Sequence, residues 1–185
     1  MSKGNIYVVS GPSGVGKGTV VREVVEKNEK IVLSVSATTR QPREGEIDKV
    51  HYFFLTKDEF QKIIDEDGFL EHAVYCDNCY GTPKQAVLDK VEEGYDVILE
   101  IDIQGGIQIL NKLPEAMGIF ILPPSYKVLE KRLRGRQSET DEVVKKRLAA
   151  ARDEIKQSYL YDYFVVNDEL ELAVEKVVKI IEQNR

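Results

Sequence analysis

The 185-residue sequence is poor in side chains that form disulfides and zinc sites, with only two cysteines and two histidines. Cys76 and Cys79 stand in the segment C-D-N-C. A four-ligand zinc site built on this pair would need both histidines, His51 and His72. A redox pair is the other alternative, but no neighbouring motif supports either interpretation. We therefore expect the two cysteines to be incidental reduced thiols.

Long apolar runs are also absent. No run approaches the ~20 residues that cross a bilayer, and the segment Met1-Ser2-Lys3-Gly4-Asn5 has no apolar signal-peptide core. These absences predict a cytoplasmic protein that does not act at a membrane. Apolar residues make up 42% and charged residues 31% of the chain, a globular balance. With no repeats or low-complexity tracts, we predict a single domain over residues 1–185.

An excess of positive charge is lacking as well, since the formal net charge is −6. This balance argues against a general nucleic-acid binder, which has to neutralise many phosphates. Basic residues are nevertheless concentrated between Lys127 and Arg136 and again at Lys145, Lys146, Arg147 and Arg152. A local basic patch on an acidic protein suits a small polyanion. On charge alone, a solvated helix face remains an equal alternative.

Short β-branched runs alternate with helical patterns along the chain, which predicts an α/β fold with a parallel sheet flanked by helices. The predicted sheet strands are 5–10, 31–35, 96–102, 118–122 and 163–166. One predicted helix follows the first glycine-rich loop, and Thr56 could cap a second, in which Phe60, Ile63 and Ile64 face inward. The other predicted helices cover about 84–93, 126–133, 141–155 and 170–181. Short strands between about residues 36 and 80 break this alternation and predict an inserted small lobe.

The segment Gly11-Pro12-Ser13-Gly14-Val15-Gly16-Lys17 follows a predicted strand and precedes a predicted helix. In that context G-x-x-x-x-G-K predicts a P-loop, whose backbone N–H groups and helix dipole hold phosphate while the lysine reaches the outer phosphates. The motif usually continues with Ser or Thr, which binds Mg²⁺, but this chain has Gly18 followed by Thr19. Either Thr19 takes a related role or water fills that metal position.

A P-loop alone does not choose among kinase, GTPase and ATPase, and the sequence has no N-K-x-D guanine motif. It has instead S-V-S-A-T-T-R-Q-P-R, followed by Gly45-Glu46 and Tyr52. The two arginines of this segment, Arg40 and Arg43, offer planar forks for a second phosphate. The pattern indicates a second phosphate site separate from the P-loop.

With these motifs in place, the sequence closely resembles guanylate kinases over essentially its whole length. The segments that carry the resemblance are G-P-S-G-V-G-K-G-T, S-V-S-A-T-T-R-Q-P-R, F-L-E-H-A, Y-G-T-P, I-L-E-I-D-I-Q-G and V-V-N-D. Only the first two are specific by themselves, whereas the order and spacing of all six are highly specific. The family has an aromatic residue where Cys79 stands, and we infer no function from that difference.

The resemblance implies a P-loop sheet (residues 1–35, 94–126 and 158–185), an inserted GMP-binding lobe (36–93) and a helical basic lid (127–157). It implies that Arg40, Arg43 and Tyr52 hold the GMP phosphate with help from Tyr80. The remaining implied GMP contacts are the guanine-binding side chains, the turn that carries them and an acidic residue near the metal: Ser36, Glu71, Thr82, Gly81 and Asp102.

The role of Glu71 also follows from chemistry. Guanine presents two adjacent donors, N1–H and the 2-amino group, which one carboxylate can accept side by side, whereas adenine has no such pair. Hydroxyl groups such as those of Ser36 and Thr82 can donate to the guanine O6. Without the family context, a surface salt bridge would be the simpler interpretation of Glu71.

On the ATP side, the resemblance places Arg132, Arg136 and Arg147 around the phosphates, where guanidinium groups stabilise the moving charge and lid closure excludes water. Together with Lys17 these arginines are the predicted catalytic residues. Asn167 and Asp168 match the adenine-side loop. The other predicted ATP contacts are the loop residues and the start of the helix: Gly11, Pro12, Ser13, Gly14, Val15, Gly16, Lys17, Gly18 and Thr19.

The sequence therefore predicts the reaction of ATP with GMP to give ADP and GDP, with Mg²⁺ held by phosphates and water and also by Thr19 or Asp102. One alternative is a non-catalytic interaction module, but such modules typically lose the P-loop lysine. Another is a kinase for a different acceptor, against which the set Ser36, Glu71 and Thr82 argues. Monomer and homodimer are both compatible with the sequence.

Overall fold

The computed structural model describes residues 3–75, 77–135 and 140–185. Its strands, numbered in chain order, are β1 Ile6–Ser10, β2 Ile31–Leu33, β3 Ala37–Thr38, β4 Phe53–Phe54, β5 Phe69–Tyr75, β6 Asn78–Pro83, β7 Asp96–Glu100, β8 Met117–Leu122 and β9 Tyr163–Val166. The helices are α1 Lys17–Glu26, α2 Lys57–Asp65, α3 Lys84–Glu92, α4 Ile103–Lys112, α5 Tyr126–Arg134, α6 Asp141–Lys156 and α7 Leu170–Gln183.

Five strands form one parallel sheet in the order β2-β7-β1-β8-β9. All five residues of β1 are buried, because helices cover both faces of the sheet and leave no polar side for the strand. One core cluster packs β1 and β8 against α1 and α7, and a second cluster packs the other face against α3 and α4. The predicted α/β fold with a parallel sheet flanked by helices is confirmed.

A second, four-stranded sheet interrupts this core between residues 37 and 83, in the order β4-β3-β6-β5. Its small apolar cluster packs α2 against the sheet, with the rings of Phe60 and Phe69 stacked 4.4 Å apart. Thr56 begins α2 through a capping box, in which its hydroxyl accepts the N–H of Glu59 and the Glu59 carboxylate accepts the N–H of Thr56. The predicted break in the α/β alternation is therefore a separate sheet.

Helices α5 and α6 form a third, smaller unit with its own apolar contacts among Leu129, Leu133, Val144 and Ala151. The exposed faces of both helices are strongly charged. Arg136 and Cys76 lie outside the described residues, so the predictions that concern them stay predictions.

The structure differs from the sequence prediction where β7 ends. The strand stops at Glu100 instead of Asp102, because Asp102 caps a helix that the sequence analysis did not predict, α4. The Asp102 carboxylate accepts the N–H of Gly105 at 2.8 Å. This cap turns the chain away from the sheet directly above the P-loop, and it fixes Asp102 beside the candidate site.

Candidate active site

The loop between β1 and α1 has the backbone of a phosphate cradle. Gly14 and Gly16 have φ values of 86° and 91°, in the left-handed region that favours glycine. Gly11 is required for a different reason, since a Cβ there would lie 2.5 Å from the carbonyl oxygen of Ile121. Helix α1 begins at Lys17, so its free N–H groups and positive dipole end face the space above the loop.

Lys17 lies at the junction of two open cavities. Its Nζ donates to the carbonyl oxygen of Ile101 at 3.3 Å. The first cavity, of about 720 Å³, is lined by residues 12–19 of the loop and helix together with Arg22, Val25, Glu26, Leu33 and Glu100. The second, of about 760 Å³, extends from Lys17 toward the four-stranded sheet and α6. The lysine ammonium can therefore reach an anion in either space.

Side chains from α5 and from the end of β9 hold the loop in place. The side-chain amide of Asn167 donates to the carbonyl oxygen of Val15 at 2.8 Å. From α5, the guanidinium of Arg132 donates to the same oxygen at 3.2 Å and to the carbonyl oxygen of Asn167 at 2.9 Å. Asp168 is exposed beside them. Arg132 and Asn167 thus lie against the loop through backbone carbonyls, and their contacts with ATP stay predictions.

Gly18 leaves room for a carboxylate. A Cβ built on Gly18 would lie 3.2 Å from Oε1 of Glu100, which lines both cavities. Thr19 is exposed and lines the first cavity, and Asp102 lines the second. In the described part of the chain, no group of three His, Cys, Asp or Glu residues is arranged to hold a metal ion by itself. These oxygen donors fit a hard cation whose other ligands are phosphate and water.

The described part of the chain likewise contains no helix that is both long and apolar enough to cross a membrane. Cys79 is a partly buried free thiol on β6.

The second cavity brings together the predicted guanine-binding residues. Glu71 and Thr82, on neighbouring strands, are 6% and 0% exposed. The Thr82 hydroxyl donates to Oε1 of Glu71 at 2.7 Å. Burial raises the pKa of the Glu71 carboxyl, the Thr82 hydrogen bond opposes that shift, and nearby Asp102 adds to it. Ser36 and Gly81 line the same cavity.

Two neighbours act on the Glu71 carboxylate. The Thr82 hydroxyl donates to it in this structure, and donation of that hydroxyl to guanine O6 stays a prediction. The second Glu71 oxygen, Oε2, lies 2.9 Å from where a Cβ on Gly105 would be. A side chain at position 105 would therefore push the carboxylate away. Thr82 and Gly105 together fix the orientation of Glu71.

Of the four predicted ligands of the acceptor phosphate, Tyr52 and Tyr80 line the second cavity and the two arginines do not. The guanidinium of Arg40 makes two hydrogen bonds of 2.9 Å with the Glu46 carboxylate and lies 5.5 Å from the centre of the Tyr52 ring. Arg43 is exposed, and its backbone N–H donates to Glu46 at 2.7 Å. Arg40 therefore lies behind the tyrosines, held by a carboxylate.

Glu46 was not among the predicted site residues, although the sequence analysis noted Gly45-Glu46 after the two arginines. The hydrogen bonds from Arg40 and from the Arg43 backbone lower the pKa of the Glu46 carboxyl to about 2. Its bidentate pairing with Arg40 is the geometry that a phosphate would offer to the same guanidinium. Glu46 thus organises the loop that carries both arginines.

The helix pair contributes Arg147 to the second cavity, and its guanidinium donates to the hydroxyl of Ser13 in the phosphate loop. Glu154 of the same helix also lines the cavity and was not predicted. Glu100 was missed in the same way. The only sequence signal for Glu100 is its place at the end of a buried strand, two residues before Asp102.

Comparison with known proteins agrees with this geometry. A family model described as guanylate kinase matches residues 3–184. The chain is 51% identical over 176 residues to the guanylate kinase of Prochlorococcus marinus (strain NATL2A), covering 95% of both chains. It is 46% identical over 185 residues to that of Clostridioides difficile (strain 630), covering 100% of this chain and 90% of the relative.

The likeness extends to a solved structure. The crystal structure of guanylate kinase from Anaplasma phagocytophilum superimposes with a TM-score of 0.78 at 33% identity, covering 98% of this chain and 86% of that one. The fold, the phosphate loop and the buried carboxylate of the second sheet thus agree with the description that these relatives share, guanylate kinase. The protein belongs to the guanylate kinase family.

Proposed function

We propose that the protein transfers the γ-phosphate of ATP to GMP across the cavity of about 760 Å³ that joins the phosphate loop to the four-stranded sheet. The observation that carries this assignment is the lining of that one cavity. Its walls carry both Lys17 of the phosphate loop and Glu71 of the four-stranded sheet, together with Asp102 and Arg147. A phosphate donor and a guanine base bound at Lys17 and Glu71 would place their phosphates next to each other.

On the donor side, the ATP phosphates lie in the loop of residues 11–19. Its N–H groups and the dipole of α1 attract the polyphosphate, and Lys17 stabilises charge on the transferring group. Arg132 and Arg147 each already contact the loop, so a small movement of α5 and α6 suffices to bring their remaining N–H donors to phosphate. Arg136 and Asp168 complete the donor side as the family resemblance implies.

On the acceptor side, the ionised Glu71 carboxylate accepts guanine N1–H and the 2-amino group. The Thr82 hydroxyl keeps that carboxylate in place, and Ser36, which also lines the cavity, serves the base edge. Tyr52 and Tyr80 face the acceptor phosphate first. Arg40 and Arg43 bind that phosphate once the loop that Glu46 organises moves inward.

Magnesium fits the oxygen donors near Gly18. Glu100 and Asp102 would hold it directly or through water, and the exposed hydroxyl of Thr19 is a further donor at the same edge. When bound, the ion would neutralise phosphate charge. Glu100 is the residue that compensates for the missing hydroxyl at position 18.

The chain itself contributes positioning and charge screening. A phosphate oxygen of GMP is already a nucleophile, so no covalent protein intermediate is needed, and the two phosphates have only to be held in line. We propose that residues 36–93 act as the GMP-binding lobe and 127–157 as the lid. Their closure over the sheet core excludes the water that would otherwise hydrolyse ATP. A cytoplasmic location and the monomer or homodimer state stay predictions.

The test is an assay of ADP release coupled to NADH oxidation, with ATP and a panel of nucleoside monophosphates. We expect turnover with GMP and dGMP that exceeds turnover with AMP, CMP and UMP by orders of magnitude. Equal use of GMP and AMP would contradict the guanine site while leaving the phosphate loop in place. Absence of ADP release with every acceptor would favour the non-catalytic alternative.

A further inference from the structure

Asn167 reaches the phosphate loop because of where the last strand of the sheet ends. Its backbone N–H donates to the carbonyl oxygen of Leu122 at 2.8 Å, which continues the pairing of β8 with β9 beyond Val166. The phosphate loop follows β1, and parallel strands place their carboxyl ends at one edge of the sheet. Asn167 therefore lies at the same edge as the loop, where it is only 6% exposed.

The side chain of Asn167 is in contact with the backbone of the loop. Its amide nitrogen donates to the carbonyl oxygen of Val15 at 2.8 Å, in a buried hydrogen bond. A Cβ on Gly16 would lie 2.6 Å from the same nitrogen. The amide thus packs directly on the peptide unit that joins Val15 to Gly16. The family resemblance places Asn167 on the adenine side, whereas these contacts connect it with the part of the loop that holds phosphate.

This peptide unit has to be held because glycine leaves it free to turn. Gly16 has a φ value of 91°, and a residue without a Cβ adopts positive and negative φ values at similar cost. A planar trans peptide directs its C=O and its N–H to opposite sides. Since the Val15 carbonyl is directed at Asn167, the N–H of Gly16 is directed away from it. If the unit turned over, the loop would present a carbonyl oxygen where it now presents a donor.

Arg132 holds the same carbonyl from another direction. Its guanidinium donates to the carbonyl oxygen of Val15 at 3.2 Å and to that of Asn167 at 2.9 Å. Arg132 is only partly buried and lies on α5, which has to move when the proposed lid closes. The Asn167 amide starts from the end of a sheet strand instead. Its bond to Val15 therefore does not depend on the position of the lid.

We infer that Asn167 is a positioning residue for the donor phosphates: its amide holds the Val15 carbonyl outward, so that the N–H of Gly16 points to phosphate. This inference rests on the proposed location of the ATP phosphates in the loop. It makes the effect of Asn167 independent of the nucleobase, because the side chain acts through the loop backbone. A polyphosphate without any base should depend on Asn167 as much as ATP does.

The test is titration calorimetry in the presence of Mg²⁺ with two ligands, the non-hydrolysable β,γ-imido analogue of ATP and inorganic tripolyphosphate, which has no base. Asn167→Ala removes the amide, and Asn167→Leu removes the donor but keeps the size, so it carries the test if the alanine variant does not fold. Loss of one N–H donor to a charged oxygen should raise the Kd of both ligands by the same factor, about tenfold to a hundredfold. The affinity for GMP should not change.

The matched control is Asn28→Ala. The side-chain amide of Asn28 also donates to a backbone carbonyl, that of Val24, at 2.8 Å, but it lies just beyond the opposite end of α1. Asn28→Ala should lower the Tm without changing the Kd of either ligand. This control separates the loss of an amide-to-backbone hydrogen bond from the loss of an ordered phosphate loop.

Three results would overturn the inference. If the Asn167 variants weaken the ATP analogue but not tripolyphosphate, the side chain acts on adenine. If the variants bind both ligands as the wild type does, the loop does not need the amide. If the wild type binds the analogue but not tripolyphosphate, the loop does not hold phosphates without the base. Failure of the wild type to bind the analogue at all would contradict the proposed donor site itself, and the inference with it.

Discussion

Replacement of Glu71 by glutamine tests the guanine site with one atom changed. The Thr82 hydroxyl donates to Oε1 of Glu71 at 2.7 Å, so in Glu71→Gln the amide oxygen keeps this bond only if the amide nitrogen takes the place of Oε2. That nitrogen carries two N–H donors. It would then face one of the two guanine donors, while the amide oxygen still accepts the other. The variant thus replaces two charge-assisted hydrogen bonds with one neutral hydrogen bond and one opposition of donors.

The magnitude follows from the burial of the site. Glu71 is 6% exposed, so water cannot repair the mismatch. Each hydrogen bond to a charged group is worth about 1.5–3 kcal/mol. Loss of one such bond, and of the charge assistance in the other, corresponds to a fall of about 10- to 10³-fold in kcat/KM for GMP. AMP, which offers no donor pair to the carboxylate, should lose nothing, so the GMP preference should shrink through GMP alone.

The assay is kcat/KM for GMP, IMP and AMP in wild type and Glu71→Gln. IMP keeps N1–H but lacks the 2-amino donor, so wild type should use it about tenfold to a few hundredfold less well than GMP. In the variant, GMP and IMP should converge. A variant that still prefers GMP over IMP by the wild-type ratio would show that another group reads the 2-amino donor, and would refute the reasoning.

The pH dependence supplies an independent check. Burial raises the pKa of Glu71 above the ordinary 4.5 of a glutamate, so the carboxylate becomes protonated at a higher pH than an exposed one. The rate with GMP should therefore fall on the acidic side sooner than the rate with AMP. The same shift affects folding stability. The carboxyl ionises first in the unfolded state as pH rises, so Glu71 lowers the free energy of unfolding above pH 4.5. At neutral pH Glu71→Gln should melt no lower than wild type.

Three further changes test other parts of the site. Lys17→Ala should fold normally, since the Lys17 ammonium contacts one backbone carbonyl, and should lower kcat by at least about a hundredfold, since its charge serves the transferring phosphate. Turnover within about tenfold of wild type at an unchanged Tm would remove Lys17 from the mechanism. Arg147→Ala should lower kcat by about tenfold or more with a smaller change in the KM for GMP; a pure KM effect would assign Arg147 to the acceptor. Glu46→Gln should raise the KM for GMP severalfold at constant kcat, because Arg40 loses the carboxylate that positions it. The folded pKa of Glu46 is about 2, so the wild type should have a higher Tm than this variant above pH 4.5. The difference in Tm should disappear as pH falls toward 2.

The elements that the sequence predicted best are those whose signal is local. The strand 163–166 and the helix 126–133 differ from the structure by at most one residue, because turn residues and caps bound them. Helix α4 was missed because it contains Gly105 and Gly106, which disfavour helix. Both glycines are required by distant chain segments: a Cβ at 105 would meet Glu71, and one at 106 would lie 2.2 Å from the Tyr161 hydroxyl.

The site residues also divide into those with a local sequence signal and those without one. The phosphate loop was predictable because its glycines, lysine and helix are contiguous. Glu71 was predictable through the chemistry of guanine and the family resemblance. Glu46, Glu100 and Glu154 were not predicted, because a glutamate in a charged sequence is most often solvated. Only the folded chain shows that Glu46 pairs with Arg40 and that Glu100 and Glu154 line the second cavity.

The charges around the second cavity indicate how nucleotides enter it. Among the described residues that line it, four carboxylates face two cations, Lys17 and Arg147. Two polyanionic nucleotides cannot be bound there unless positive charge is added. The sources that we propose are a hard cation held by Glu100 and the arginines Arg40 and Arg132, both now held by protein oxygens. We expect substrate binding to bring the remaining N–H donors of these arginines to phosphate, so nucleotide affinity and lobe closure depend on the same residues.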